Sequence, residues 1–345
     1  MKERLKSPIF LIFFITSKCN SKCNHCFYWK NLNKNVKELT LEEIKKLSKE
    51  FNKIPEMALS GGEPFLREDI DKIYRVFNIN NKPKFFTIPT NGLLPEKIYN
   101  KVKEMLECNF NTVLSINLSL DGTKDIHDEI RGVRGNYEKV IETYNKLSLL
   151  KNDYKNLIIK ITTTITNKNI KNISKLIEDV KEKMPKIDFH NFEIARGDIK
   201  NKDYKPPSIE ELSEIKELLY RTWESYEFYG KKNKLKSRIA SKIKKFVFET
   251  YLRIIKEKKQ VIPCYAYKTC VVIDEKGDLY FCELLPSIGN IKKNSLKEIL
   301  QSESADKQIK FIKNKGCYCT HSCFQQKNII LNYRLFPKLF SYIIK

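Results

Sequence analysis

Ile9-Phe10-Leu11-Ile12-Phe13-Phe14-Ile15, followed by Thr16-Ser17-Lys18-Cys19-Asn20-Ser21-Lys22-Cys23-Asn24-His25-Cys26-Phe27, decides how this 345-residue chain is read. Seven apolar residues without alternation fit a strand buried on both faces of a parallel sheet, and the run is far too short to span a membrane. Three cysteines follow in the pattern C-x3-C-x2-C. Thiolates gathered on one loop hold iron–sulfur clusters or zinc. Zinc normally takes four ligands, commonly from CxxC pairs, and His25, placed between two of the cysteines, is a strained fourth. A cube of four irons held by three thiolates keeps one iron open. That iron can bind a small molecule and pass one electron into it.

Outward from this stretch, apolar runs alternate with amphipathic ones. Strands are expected at 9–15, 57–60, 85–89, 113–120, 157–166 and 189–195, and helices at 39–51, 68–77, 95–107, 137–149 and 170–183. Thr40 with Glu43 three residues on is a capping box for the first helix. Repeated strand–helix units with right-handed crossovers build a parallel sheet. The expected class is α/β, an open, partial (β/α)6 TIM-like barrel with its site at the carboxyl ends of the strands. Gly61-Gly62-Glu63-Pro64, Thr90-Asn91-Gly92 and Ser119-Leu120-Asp121-Gly122 all fall at such ends. Taken alone, each is also an ordinary turn. Residues 209–258 are helical and lysine-rich, either a layer against the barrel or a solvated linker.

The apolar fraction of 41% is that of a globular protein. Lys2, Arg4 and Lys6 precede the first apolar run, but no small-residue cleavage site follows, so a cytoplasmic location is expected. Ten cysteines in a reducing compartment argue for metal or cluster ligation rather than disulfides. The net charge of +23 would suit an anionic partner. The basic residues are nevertheless spread along the chain without an aromatic–basic signature, which argues against nucleic acid. Cys108, alone in an amphipathic helix, reads as a buried apolar residue.

The cysteine loop resembles the cluster loop of radical S-adenosylmethionine (SAM) enzymes. That resemblance makes Cys19, Cys23 and Cys26 ligands of a [4Fe–4S] cluster, with SAM on the open iron. It makes Gly61, Gly62 and Glu63 the site of the SAM amino group, and Asn91 part of the cavity wall. Ser119 and Arg131, twelve residues apart, match the spacing of SAM-contacting residues in the subfamily that bears a C-terminal SPASM or twitch domain. A guanidinium suits the methionine carboxylate as a bidentate partner. Phe27 would lie near the adenine, and 192–197 near the adenine and substrate pocket. Asp121 and His127 would aim at the site, Asp121 as ligand contact or cap.

Six of the ten cysteines lie between 264 and 323. Cys264-x5-Cys270, then Gly277-x4-Cys282, then Cys317-x-Cys319-x3-Cys323 is similar to the SPASM/twitch extension, with a β-hairpin turning at Asp274-Glu275-Lys276-Gly277. By that pattern Cys264, Cys270, Cys282 and Cys323 hold one auxiliary [4Fe–4S] cluster. A full SPASM domain has seven cysteines and two clusters. This chain has six, its Cys317–Cys319 spacing is short and none follows Cys323, which argues against a second cluster recruiting Cys317 and Cys319.

The resemblance implies a core barrel at 1–205, a helical bridge at 206–262 and an auxiliary-cluster domain at 263–345. It implies reductive SAM cleavage to a 5′-deoxyadenosyl radical that abstracts a hydrogen atom from the substrate, with a flavodoxin or ferredoxin as one-electron reductant. The substrate would be a peptide, or a sugar, lipid or tetrapyrrole intermediate, including an anionic small molecule. The rival reading is a non-catalytic iron–sulfur or zinc module for an anionic partner such as nucleic acid. The apolar, basic segment 333–345 would touch a membrane surface or pack on its own domain.

Overall fold

The computed structural model describes residues 8–108, 110–227 and 234–344; Lys2, Arg4 and Lys6 of the N-terminal reading, and Lys345 of the tail, lie outside them. The first half runs β1 (Phe10–Thr16), α1 (Leu41–Glu50), β2 (Glu56–Gly61), α2 (Ile70–Asn81), β3 (Phe85–Thr90) and α3 (Pro95–Glu107). It continues through β4 (Val113–Ser119), α4 (Lys124–Arg131), α5 (Asn136–Leu150), β5 (Leu157–Ile165), α6 (Ile173–Lys183) and β6 (Phe189–Ile194). The six strands are parallel, lie in the order β6-β5-β4-β3-β2-β1, and do not close into a full barrel. The α/β open-barrel expectation therefore holds. The Thr40–Glu43 capping box is formed, with each backbone N–H bound by the other residue's side chain.

Sequence pattern does not reveal α4. Its eight residues carry only Ile126 and Ile130 as apolar side chains, too few to show a helical period. Gly132 ends it in the left-handed conformation at φ 63°.

The second half holds α7 (Ile209–Glu224), α8 (Lys234–Glu257), α9 (Ala266–Thr269), β7 (Cys270–Ile273), β8 (Asp278–Tyr280) and β9 (Gly289–Asn290). Then come α10 (Leu296–Leu300), α11 (Glu303–Lys313), α12 (Ser322–Leu331) and α13 (Phe336–Ile344). The hairpin turns where expected: Asp274 Oδ1 accepts from the backbone N–H of Lys276 and of Asp278. Its first strand pairs in parallel with β1, Phe10 opposite Cys270 and Phe13 opposite Ile273, so the tail extends the core sheet.

This pairing explains the unalternating run 9–15. Leu11, Phe13 and Ile15 face the helices and join the main core. Phe10, Ile12 and Phe14 face the concave side and pack with Cys270, Cys282 and Phe324. Both faces are apolar because both are covered. Elsewhere the concave side is polar and half-exposed, lined by Ser60, Thr87, Asn117, Thr162 and Asn191.

Helices α7 and α8 are not a solvated linker. Trp223 and Phe248 are buried with ring centroids 6.0 Å apart, Trp223 stands 6.3 Å from Phe192 of β6, and Lys244 donates to Asn191 Oδ1 at 2.9 Å. Helix α13 lies against α8, with Leu339 packed on the core and Lys338 Nζ 5.6 Å from the Phe246 ring centre. The side chains of Phe340, Tyr342, Ile343 and Ile344 lie outside the described set. No described helix is long and apolar enough to cross a membrane. Cys108 is half-buried at the C-cap of α3, its thiol bonded to the Glu104 carbonyl, rather than a core residue.

Candidate functional site

The loop carrying Cys19, Cys23 and Cys26 leaves β1 and is held by four neighbours. At the exit of β2, Gly62 N–H donates to the Thr16 carbonyl and Glu63 N–H to the Lys18 carbonyl, each at 2.8 Å. This approach needs Gly61 and Gly62. Gly61 sits at φ 127°, and a Cβ on Gly62 would stand 2.1 Å from Lys18 O. At the exit of β3, Asn91 Nδ2 donates to Asn20 Oδ1 at 2.8 Å. Beyond β4, the loop caps α4: Lys22 N–H and the Ser21 hydroxyl reach the Arg131 carbonyl, Asn24 N–H that of Ile130, and Asn24 Nδ2 that of Glu129. Those are the carbonyls a helix leaves unpaired at its end. After β6, Lys200 N–H donates to the Cys26 carbonyl and Asn201 N–H to that of Asn24. The loop thus crosses the strand ends from β1 to β6, strands that do not touch.

Within this frame Glu63 is fully buried. Oε1 accepts from the Thr90 hydroxyl at 2.8 Å and Phe65 N–H at 3.2 Å, and Oε2 accepts from Asn91 N–H at 2.7 Å. A carboxylate has about four acceptor directions, so most of its capacity is spent tying β2 to β3. Burial pushes its pKa up to about 7. Asp121 is also fully buried: Oδ1 accepts from Thr164 N–H, and Oδ2 stands 2.7 Å from Arg131 Nε and 3.7 Å from His25 Nε2. Burial opposes its charge, yet Arg131 and then His25 hold its carboxyl below the usual range. Asp121 N–H donates to His127 Nδ1 at 3.0 Å, which places His127 as a support beneath the site.

Arg131 extends Nη1 to 3.6 Å from Cys23 Sγ, and the Ser21 hydroxyl lies 3.1 Å from the same sulfur. Burial, with the neighbouring thiols, pushes Cys19 up to about 12 and Cys26 up to about 11. Such thiols favour a cation that takes up their charge. Ser119 ends β4 half-exposed, in register with Thr162 of β5, and its hydroxyl has no hydrogen bond among the described residues. Phe27 lies at the border with the tail, under the Arg196 guanidinium at 5.2 Å and beside Gly197.

The six tail cysteines form one neighbourhood. Cys270 interacts with Cys323 and Cys264, Cys282 with Cys319 and Cys264, and Cys317 with Cys319. Cys317 and Cys319 therefore stand with the four expected ligands rather than apart. Cys323 is the tail thiol held below its ordinary value: burial is the largest influence and opposes this, but the hydrogen bond and charge of His321, with the charge of Lys327, together outweigh it. Among the described residues, no three His, Cys, Asp or Glu side chains converge tightly enough to grip a single ion. A cluster would take each thiolate on its own iron, and two sets of partly or fully buried cysteines, whose thiolates would repel one another without it, fit that group.

Sequence reasoning missed Asn20, Ser21 and Asn24 as loop anchors, and Glu283 and His321 as partners of Arg196. Only α4 and the folded tail bring their partners near, and no motif spacing signals them.

Residues 13–180 match the model of the radical SAM superfamily, and residues 264–324 match that of an iron–sulfur cluster-binding domain. The chain belongs to the radical SAM superfamily and carries a SPASM-type iron–sulfur domain. Membership implies a [4Fe–4S] cluster with SAM, and the domain implies auxiliary iron–sulfur binding. The chain is 25% identical over 321 residues to the AdoMet-dependent heme synthase of Methanosarcina barkeri (strain Fusaro / DSM 804), covering 88% of this chain and 85% of that protein. It is 31% identical over 182 residues to the cysteine-type anaerobic sulfatase-maturating enzyme of Clostridium novyi (strain NT), 48% of this chain and 45% of that one. The chain spans about half the length of several curated relatives it matches. Native anSMEcpe, solved with bound AdoMet, superposes with TM-score 0.62 at 18% identity, covering 97% of this chain and 100% of that one, a likeness of fold.

Proposed function

We propose that this chain is a radical SAM enzyme acting on a polar substrate within its open barrel, with one auxiliary cluster in the tail. The cysteine loop carries this reading, because it is fixed across the strand ends by contacts with Glu63, Asn91 and Arg131. Cys19, Cys23 and Cys26 would hold the first [4Fe–4S] cluster, and Cys264, Cys270, Cys282 and Cys323 the second, with Cys317 and Cys319 beside them. The chemistry supplied when cluster and SAM are bound is one-electron reductive cleavage of SAM and hydrogen-atom abstraction. The protein's part is positional. Gly61, Gly62 and the remaining acceptor capacity of Glu63 would hold the SAM ammonium, Ser119 and Arg131 would hold its carboxylate, and Phe27 would lie by the adenine. The covered strand ends exclude water.

The heme synthase and the sulfatase-maturating enzyme among the relatives support two substrate classes, a carboxylate-bearing tetrapyrrole and a peptide side chain. The polar concave wall suits either better than an apolar lipid. A flavodoxin- or ferredoxin-type reductant in the cytoplasm completes the scheme.

The test is anaerobic reconstitution of the full chain, with iron and sulfide counts and measurement of 5′-deoxyadenosine after reduction with SAM. Two clusters and SAM cleavage are expected. Zinc in a colourless protein, or a reconstituted protein that leaves SAM intact, overturns the proposal. A gene neighbour encoding a short precursor peptide would select the peptide branch.

A further inference from the structure

The two thiol groups are joined by a buried chain of charges that no sequence motif marks. Arg196, just beyond β6, donates from Nη2 to Glu283 Oε1 at 3.0 Å. The same carboxylate oxygen lies 3.1 Å from His321 Nε2. Side-chain exposure is 18% for Arg196, 4% for Glu283 and 5% for His321, so little water screens these charges. At one end the guanidinium stacks over Phe27, the residue after Cys26. At the other, Glu283 follows Cys282, and His321 lies two residues from both Cys319 and Cys323. Gly197, at φ 74°, fits between Phe27 and Leu284, where an added Cβ would stand 3.2 Å and 3.1 Å from their side chains. The contact is therefore tight in backbone as well as in charge.

We propose that Arg196, Glu283 and His321 are positioning residues that lock the tail's thiol group to the cysteine loop and set the reduction potential of the tail cluster. The inference rests on the reading above that the tail holds an iron–sulfur cluster. Potentials of such clusters follow net charge, hydrogen bonds near the sulfurs and exposure. Reduction adds one negative charge to the cluster, so the Arg196 cation favours the reduced form and the Glu283 anion disfavours it.

The experiment is an EPR-monitored redox titration of the anaerobically reconstituted full chain with dithionite. The tail signal is the one that added SAM leaves unchanged. Arg196→Gln should lower its midpoint potential, Glu283→Gln should raise it, and Arg196→Lys, which keeps the charge, should stay close to wild type. Opposite signs are what a purely structural role would not give, since loosening the contact exposes the centre in both variants alike. Equal shifts in the same direction, or no shift at wild-type iron content, overturn the inference while leaving the two-cluster reading standing. Loss of tail iron from all three variants also overturns it, reducing the link to a scaffold. A wild-type chain without tail iron overturns the two-cluster reading itself, and this inference with it.

Discussion

Arg131 Nε lies 2.7 Å from Asp121 Oδ2, and both side chains are buried beneath the cysteine loop. The same guanidinium touches Cys23, and the Arg131 carbonyl receives Lys22 N–H and the Ser21 hydroxyl. One residue thus ties the helix end, the buried acid and the ligand loop together.

Arg131→Ala would leave Asp121 buried without its partner, a loss that typically costs about 3–5 kcal/mol. The expected outcome is a lower urea midpoint, together with reduced iron at the first cysteine set and weaker SAM binding. A variant with wild-type stability, full iron and unchanged SAM affinity by spectral titration would remove Arg131 from the site.

Gly62→Ala drives a methyl group into the Lys18 carbonyl, a backbone atom 2.1 Å away that cannot swing aside. The cysteine loop must shift, so first-set iron should fall while tail iron remains. Gly135→Ala is the control: it has open space but φ 81°, and should lose about 1–2 kcal/mol with iron intact. Equal iron loss in both would show that the effect is general instability.

The Cys19→Ala/Cys23→Ala/Cys26→Ala triple variant should lose SAM cleavage yet stay iron-bearing through the tail. Cys282→Ala should do the reverse, keeping SAM cleavage but lowering iron by about one cluster, since ligands of such small domains help fold them. The iron-to-protein ratio and 5′-deoxyadenosine yield of each decide the division.

Glu63 provides a pH test. Its folded pKa of about 7 lies above the usual 4.5 because of burial. The native state therefore holds a proton the unfolded chain releases, and that stabilisation, full below about pH 4.5, is lost as pH rises through 7. Glu63→Gln does not titrate. Urea denaturation at pH 5 and pH 8 should show wild-type stability falling relative to the variant at the higher pH; a constant or reversed difference refutes the assignment.

Trp223→Ala should cost about 3–5 kcal/mol, the usual loss for a buried large aromatic. It removes the ring that packs α8, through Phe248, and β6, through Phe192. A melting temperature unchanged from wild type would return α7 and α8 to the role of a solvated linker.

The barrel was legible because its strands and most of its helices are long enough to show their period. Helix α3 was read with its observed limits, and the strand ends placed Gly61, Asn91 and Ser119 within a residue or two. The C-x3-C-x2-C spacing is a local property, so the chemistry of Cys19, Cys23 and Cys26 could be read without a fold. Helix α4 escaped because two isoleucines in eight residues make no pattern, although it carries Arg131 and supplies the carbonyls that the loop caps.

The sequence by itself determined which thiols and glycines exist, and on which strand ends they lie, because those facts follow from spacing along one chain. Only the tertiary structure decided that β7 pairs with β1, that Cys317 and Cys319 join the other tail cysteines, and that Arg196 meets Glu283 and His321. Those contacts join residues far apart in the chain, with nothing local to encode them. They form because the inner face of β1, with Phe10, Ile12 and Phe14, must be covered, and the folded tail is what covers it.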